Sequence, residues 1–141
     1  MGKNKGFTLI EILIVVAIIG ILASIILVGL GSFRSRGRDA RRIADLHQVQ
    51  NGLELYFTKN GSYPSDAAWA NLTTTLKGAG IGVNAVPNDP TIGSNYIYAA
   101  ASGGYVLAAT LEDVNNPALT NDVDSTVNGV GCGDPVYCVQ F

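Results

Sequence analysis

Few residues of this 141-residue chain could carry chemistry, and the first is an acid in an apolar setting. Glu11 stands directly before Ile12–Leu30, nineteen residues reading ILIVVAIIGILASIILVGL without a charge. A carboxylate inside such a segment costs about 2.5–3.5 kcal/mol on membrane-insertion scales, so it needs a partner or a task. Thr8-Leu9-Ile10-Glu11 offers a local partner, because the spacing fits a capping box at a helix start. Cys132 and Cys138 enclose five residues and could close a disulfide or remain thiols. Asp122-x-Asp124, within Asn121–Gly129, spaces two carboxylates for a hard cation such as calcium. The EF-hand pattern fails there, lacking a third ligand at the next alternate position and a suitably placed Glu. A solvated turn is therefore the preferred reading, with Asp122 and Asp124 kept as a candidate calcium pair. One His and two Cys exclude a zinc finger. Ser, His and acidic residues are otherwise scattered, with no nucleophile elbow, P-loop or dinucleotide fingerprint. The chain is not read as an enzyme, and no cofactor is expected.

The elements that position these residues begin with the apolar run. At about 1.5 Å per residue it matches the roughly 30 Å hydrocarbon core of a bilayer. A domain this small has no interior for a helix that is apolar all round. Met-Gly-Lys-Asn-Lys-Gly precedes it as a short basic leader. A conventional signal peptide, cut near Gly29-Leu30-Gly31-Ser32, is compatible with composition alone.

Charge is divided along the chain. Residues 1–42 hold seven of the nine Lys+Arg, whereas residues 43–141 hold two lysines against nine acids. Residues 32–59 read as a continuation of the helix. Ile43, Leu46, Val49, Leu53, Tyr56 and Phe57 share one side at 100° per residue, away from Ala44, His47, Gln48 and Asn51. Asn60-Gly61 is a stop signal. From Phe7 to Lys59 the helix would be about 80 Å long, so part of it must protrude from a small globule. Arg34, Arg36, Arg38, Arg41 and Arg42 form a basic cluster with no interleaved aromatic residue, beside the apolar run. The cluster is not read as a nucleic-acid site. Anionic headgroups are the expected partners in a membrane; should copies of the chain pack together, Asp39, Asp45 or Glu54 of a neighbour could serve instead. His47 is a lone residue on the polar face with no evident partner.

Beyond Asn60, Tyr63-Pro64 makes a turn, and Ser65 or Asp66 is the expected N-cap of a short helix ending at Gly78. Trp69, Leu72 and Leu76 form its buried face. Tyr96–Ala99 and Tyr105–Leu111 read as a hairpin around Ser102-Gly103-Gly104, with Val136–Phe141 a possible third strand. The class is α+β, a long protruding N-terminal α-helix packed on a small antiparallel β-sheet.

Gly6 followed by FTLIEILIVVAIIGILA resembles the class III signal and N-terminal helix of type IV pilins and type II secretion pseudopilins. The resemblance is close over the first quarter of the chain and one of layout beyond. It implies a prepilin leader at residues 1–6, a transmembrane and filament-core helix at 7–33, an amphipathic continuation at 34–59 and a globular head at 60–141. It implies cleavage between Gly6 and Phe7 by a prepilin peptidase, and N-methylation of Phe7. Glu11 would then pair with the Phe7 amine of a neighbouring subunit and set the stagger of a helical homo-oligomeric filament. An assembly ATPase and an inner-membrane platform would drive extraction from the cytoplasmic membrane toward a cell-surface pilus. A pseudopilin of a secretion or competence system, and a monomeric single-pass binding protein, are the alternatives. An exported body also makes a Cys132–Cys138 disulfide the expected state. The positive-inside rule points the other way, since five arginines follow the apolar run and only Lys3 and Lys5 precede it. The leader motif and the cysteine pair overrule it. The proline that many members carry about fifteen residues after the cleavage site is missing; Gly20, Gly29 and Gly31 would weaken the helix instead, each by about 0.5–1 kcal/mol.

Overall fold

Helix α1 runs Leu9–Asn60, and its residues divide between two units, one ending at Arg34 and the other spanning Ser35–Phe141. The computed structural model describes residues 6–65, 68–101 and 103–141, with backbone only for 27–30. Lys3, Lys5, Asp66 and Ser102 of the sequence reading lie outside these. In the first unit α1 carries an 18-residue window of mean hydropathy 3.2, none of it buried. The large apolar side chains from Phe7 to Ile26 are 51–86% exposed. The sequence reading started the helix at Phe7. It starts at Leu9 because the Thr8 hydroxyl and amide are engaged by the Glu11 side chain, which is how a capping residue stays outside the helix.

In the second unit α1 is amphipathic. Leu46, Val49 and Leu53 are buried, Ile43 and Tyr56 partly so, and Phe57 remains 39% exposed at the edge of this stripe. The helix stops where Gly61 takes φ +73° and donates its amide to the Phe57 carbonyl. Helix α2 (Trp69–Gly78) begins later than the sequence suggested. Its N-cap is Ala68, which offers no side-chain cap, and Ser65 is exposed outside the helix. Burial decides the start: Trp69, Leu72 and Leu76 all face the core, and the Trp69 indole donates to the Pro87 carbonyl at 3.2 Å.

Three antiparallel strands follow, β1 (Ile97–Ala101), β2 (Gly104–Thr110) and a later β5 (Val136–Gln140), in the order β1-β2-β5. Alternation sorts their side chains onto two faces. Tyr98, Tyr105, Leu107, Ala109 and Tyr137 join the α1 and α2 residues in the main core. Ala99, Val106, Ala108, Cys132 and Cys138 form a second cluster on the other face. That cluster is covered by a small hairpin, β3 (Thr126–Val127) and β4 (Val130–Gly131), whose turn has Asn128 at φ 50° and Gly129 at φ 82°. The hairpin occupies a stretch read from sequence as a loop. Asn-Gly between two valines is a recognised two-residue hairpin turn, so the signal was present. A short 3-10 turn at Pro117–Thr120 was also unforeseen, although Asn116 caps it by accepting from the Ala118 amide at 3.0 Å.

The C-terminus is fastened to β2. Tyr105 and Phe141 exchange backbone hydrogen bonds at 3.3 and 3.1 Å. Gly104 permits this approach, since a Cβ there would lie 2.3 Å from the Phe141 carbonyl oxygen.

Candidate functional site

The sequence nominated three places, and the fold treats them differently. Glu11 sits in the first turn of α1, exposed in its own chain. Its Oε2 accepts from the Thr8 amide at 2.7 Å and from the Thr8 hydroxyl at 2.7 Å, and the Thr8 hydroxyl accepts from the Glu11 amide at 3.3 Å. This is a reciprocal capping box. Among the described residues no hydrogen bond reaches Oε1. The carboxylate is thus held by one oxygen at the head of a helix whose next twelve residues, 12–23, carry no polar side chain. Gly6 and Phe7 lie just ahead of it, and Phe7 is 86% exposed.

Cys132 and Cys138 form a disulfide, with Cα atoms 5.7 Å apart. It ties the segment after β4 to the middle of β5, and both residues are buried. The Cys138 amide donates to Asp122 Oδ2 at 2.8 Å, so the disulfide and the acidic loop are one assembly.

The sequence reading kept Asp122 and Asp124 as a candidate pair with no third ligand at the next alternate position; the fold brings a third carboxylate from elsewhere. Asp134 supplies it from ten residues downstream, and one ligand oxygen from each of the three lies within 4.8 Å of the others. Asp122 Oδ1 is buried without a hydrogen-bond partner. Burial pushes the Asp122 carboxyl above its ordinary range, with Asp124 and Asp134 adding like charge. Three carboxylates with an unsatisfied buried oxygen are a donor set suited to a hard cation of the calcium type. Neither local spacing nor the EF-hand template could have located Asp134, because the disulfide-closed turn is what returns it.

The arginine cluster also departs from expectation. Headgroups or acids of adjacent subunits were anticipated, but four of the five arginines find partners inside the chain. Arg42, 3% exposed, donates to Asp39 at 2.7 Å, to Asp89 at 2.8 and 3.1 Å, to Glu112 at 2.8 Å and to the Thr91 hydroxyl at 2.8 Å. Asp39 is fully buried and accepts the Glu112 and Asp113 amides at 3.0 and 2.9 Å. Arg38 makes a bidentate pair with Glu112, Arg36 pairs with Asp113 at 3.0 Å, and Arg41 with Asp45 at 3.6 Å. The Arg38 guanidinium, helped by Arg42, pulls the Glu112 carboxyl down to about 2. Hydrogen bonds that Arg42 donates to Asp89, then to Glu112 and Asp39, outweigh burial and hold Arg42 above its ordinary range. One α1 arginine therefore staples the 88–91 and 112–113 loops to the helix. The sequence reading could not find Asp89 and Glu112 as its partners, because they lie 47 and 70 residues away.

Glu54 is likewise satisfied within the chain, accepting from the Tyr105 hydroxyl at 2.9 Å and the Tyr63 hydroxyl at 3.2 Å. His47, expected to lack a partner, has Nδ1 3.2 Å from Gln50 Oε1 and Nε2 3.5 Å from the Tyr137 hydroxyl.

Comparison with known proteins follows this division. The pattern described as the prokaryotic N-terminal methylation motif matches residues 1–27. The type IV wide pilus major component PilA4 of Thermus thermophilus is 37% identical over 113 residues, 80% of this chain and 86% of that protein. The type II secretion system core protein G of Escherichia coli is 33% identical over 94 residues, 67% of this chain and 58% of that protein. The fimbrial protein EcpC of Eikenella corrodens is 36% identical over 75 residues, covering 53% of this chain and 49% of that protein. No solved structure gives a significant match. An aligned length of 113 residues exceeds α1 and must include the α+β portion, so the likeness is not confined to the apolar helix. The chain belongs to the family of type IV pilins and type II secretion pseudopilins.

Proposed function

We propose that this chain is a structural pilin subunit, processed between Gly6 and Phe7 by a prepilin peptidase and polymerised through its apolar helix into a type IV pilus. Residues 1–6 are the leader, 7–33 the membrane and filament-core helix, 34–59 its amphipathic continuation and 60–141 the head. The observation that carries this reading is Glu11. Its carboxylate is anchored by Thr8 through one oxygen and offers the other on a helix with no apolar cover of its own. Cleavage creates a cationic amine on Phe7, subsequently methylated. In an apolar surrounding, the pairing of that amine with a neighbour's Glu11 is strengthened and a missing partner is costly. The pairing selects one stagger among otherwise equivalent packings of greasy helices.

Before assembly the helix resides in the cytoplasmic membrane as a single span with the head exported. Lipid already shelters its side chains, so extraction requires work, supplied by an assembly ATPase acting through an inner-membrane platform. After assembly the head is displayed at the cell surface. The role is structural, not catalytic.

Intact mass of the protein from purified fibres tests this. Loss of residues 1–6, one added methyl and two fewer hydrogens for the disulfide are expected. A mature chain beginning after Gly31 would overturn it. A pseudopilin is the second reading, favoured by the similarity to core protein G. Long surface fibres built of this chain support the pilin; short periplasmic assemblies needed for secretion support the pseudopilin.

A further inference from the structure

Asn-Gly occurs at 51–52, 60–61 and 128–129. The pair has a chemistry of its own. The glycine amide nitrogen can attack the asparagine Cγ and close a five-membered imide, and a glycine, having no Cβ, crowds that attack least. The attacking amide must first be free of its acceptor, so the fold decides which pair reacts.

Two of these pairs are protected. Gly52 is buried inside α1, where its amide belongs to the helical hydrogen-bond ladder. At the end of α1 the Gly61 amide donates to the Phe57 carbonyl at 2.8 Å, and Asn60 Nδ2 donates to the Tyr56 carbonyl at 3.0 Å. Both pairs must open locally, at a cost in free energy, before they can cyclise.

Asn128-Gly129 differs on each count. It is the two-residue turn between β3 and β4, and both residues are exposed. Among the described residues the Gly129 amide has no hydrogen-bond acceptor. Chain neighbours apart, nothing lies within 4 Å of the point where a Gly129 Cβ would stand. Asn128 Nδ2 donates to the Ala99 carbonyl at 3.4 Å, longer than the usual range.

We propose that Asn128 is a self-modification site, which converts in water to aspartate and isoaspartate and so frees the β3-β4 hairpin from β1. The Gly129 nitrogen bonds to Asn128 Cγ, the Cγ–Nδ2 bond breaks, and ammonia leaves carrying the Gly129 amide proton. Water then opens the imide. Opening at Cγ leaves aspartate; opening at the main-chain carbonyl leaves isoaspartate, with the chain rerouted through Cγ. Water replaces ammonia, and nothing is oxidised or reduced. Each product has a carboxylate where a donor stood, so the bond to the Ala99 carbonyl is lost. Isoaspartate also lengthens the backbone of a two-residue turn that pairs Val127 with Val130. Those valines pack against the cluster that contains Cys132 and Cys138, so conversion loosens the cover over the disulfide.

The test ages the full-length chain in detergent micelles at mildly alkaline pH. Peptide mapping by mass spectrometry should find Asn128 converting at least about tenfold faster than Asn51 or Asn60, each of which needs a local opening. Reduction of the Cys132–Cys138 disulfide by added thiol should be about threefold or more faster in the aged chain than in the fresh one. Asn128→Gln has a side chain too long to close the five-membered ring, so ageing should leave its reduction rate unchanged. No conversion at Asn128, or equal conversion at all three pairs, would overturn the site. Conversion at Asn128 without faster reduction, or faster reduction in aged Asn128→Gln, would overturn the loosening of the hairpin.

Discussion

The two units solve the problem of charge in opposite ways. In the unit ending at Arg34, an acid stands on an apolar helix, and among the described residues its own chain provides only Thr8. In the unit from Ser35, Arg42 and Asp39 are as deeply placed as core leucines, yet both are met by residues of the same chain. A buried charge that lost its partner would cost several kcal/mol, so a fold that buries Asp39 must bring Arg42 and two backbone amides with it. The membrane helix has no such fold around it. On the proposed function, its partners are lipid and other copies of the chain.

This contrast can be broken most severely at Glu11. Glu11→Val should abolish fibres, counted by electron microscopy, while leaving membrane insertion and head unfolding unchanged. Normal fibres from that variant would mean that the first unit needs no external partner. The mirror experiment is Arg42→Ala, which strands Asp39. Urea unfolding of the head should lose about 3–5 kcal/mol, the usual cost of removing one member of a buried pair. A loss below about 1 kcal/mol would show the network to be no more than a solvated surface pair.

Smaller effects sharpen the picture. Replacing both cysteines by serine opens a short ring, with an expected loss of about 2 kcal/mol on the loop-entropy estimate. It should also disperse Asp122, Asp124 and Asp134. Calcium should raise the unfolding temperature of the wild-type head, and neither the cysteine-free variant nor Asp134→Asn should respond. Equal stabilisation of all three would place the ion elsewhere.

The smallest effects are pH slopes of opposite sign. Glu112 is held at about 2, below its ordinary 4.5. Its contribution is present above the ordinary value and is lost as pH falls through the window from 4.5 to 2. Asp122 is raised above 3.8, so its ionisation opposes folding as pH rises through its native value. Acid unfolding of Glu112→Gln should therefore flatten toward low pH. Asp122→Asn should make the head more stable at pH 7 when no divalent cation is present. A wild-type slope in both variants would contradict the assigned partners.

The helix, its stop at Asn60-Gly61, the buried face Trp69, Leu72 and Leu76, and the three-stranded sheet were all legible before any coordinates, because each rests on local periodicity or a turn residue. The capping box was legible for the same reason, its donor and acceptor being three residues apart. The Asn128-Gly129 hairpin turn was a local signal read as a loop; at the other departures a long-range contact had intervened. Ser65 looked like a cap, but the helix starts at Trp69, whose side chain packs in the core. Asp134, Asp89 and Glu112 carried no mark of their roles in the sequence. Their roles arise because the disulfide and the antiparallel order bring them against Asp122 and Arg42. Periodicity and capping act within a few residues and can be read along the chain, whereas the pairing of a buried charge depends on which distant loop the fold delivers to it.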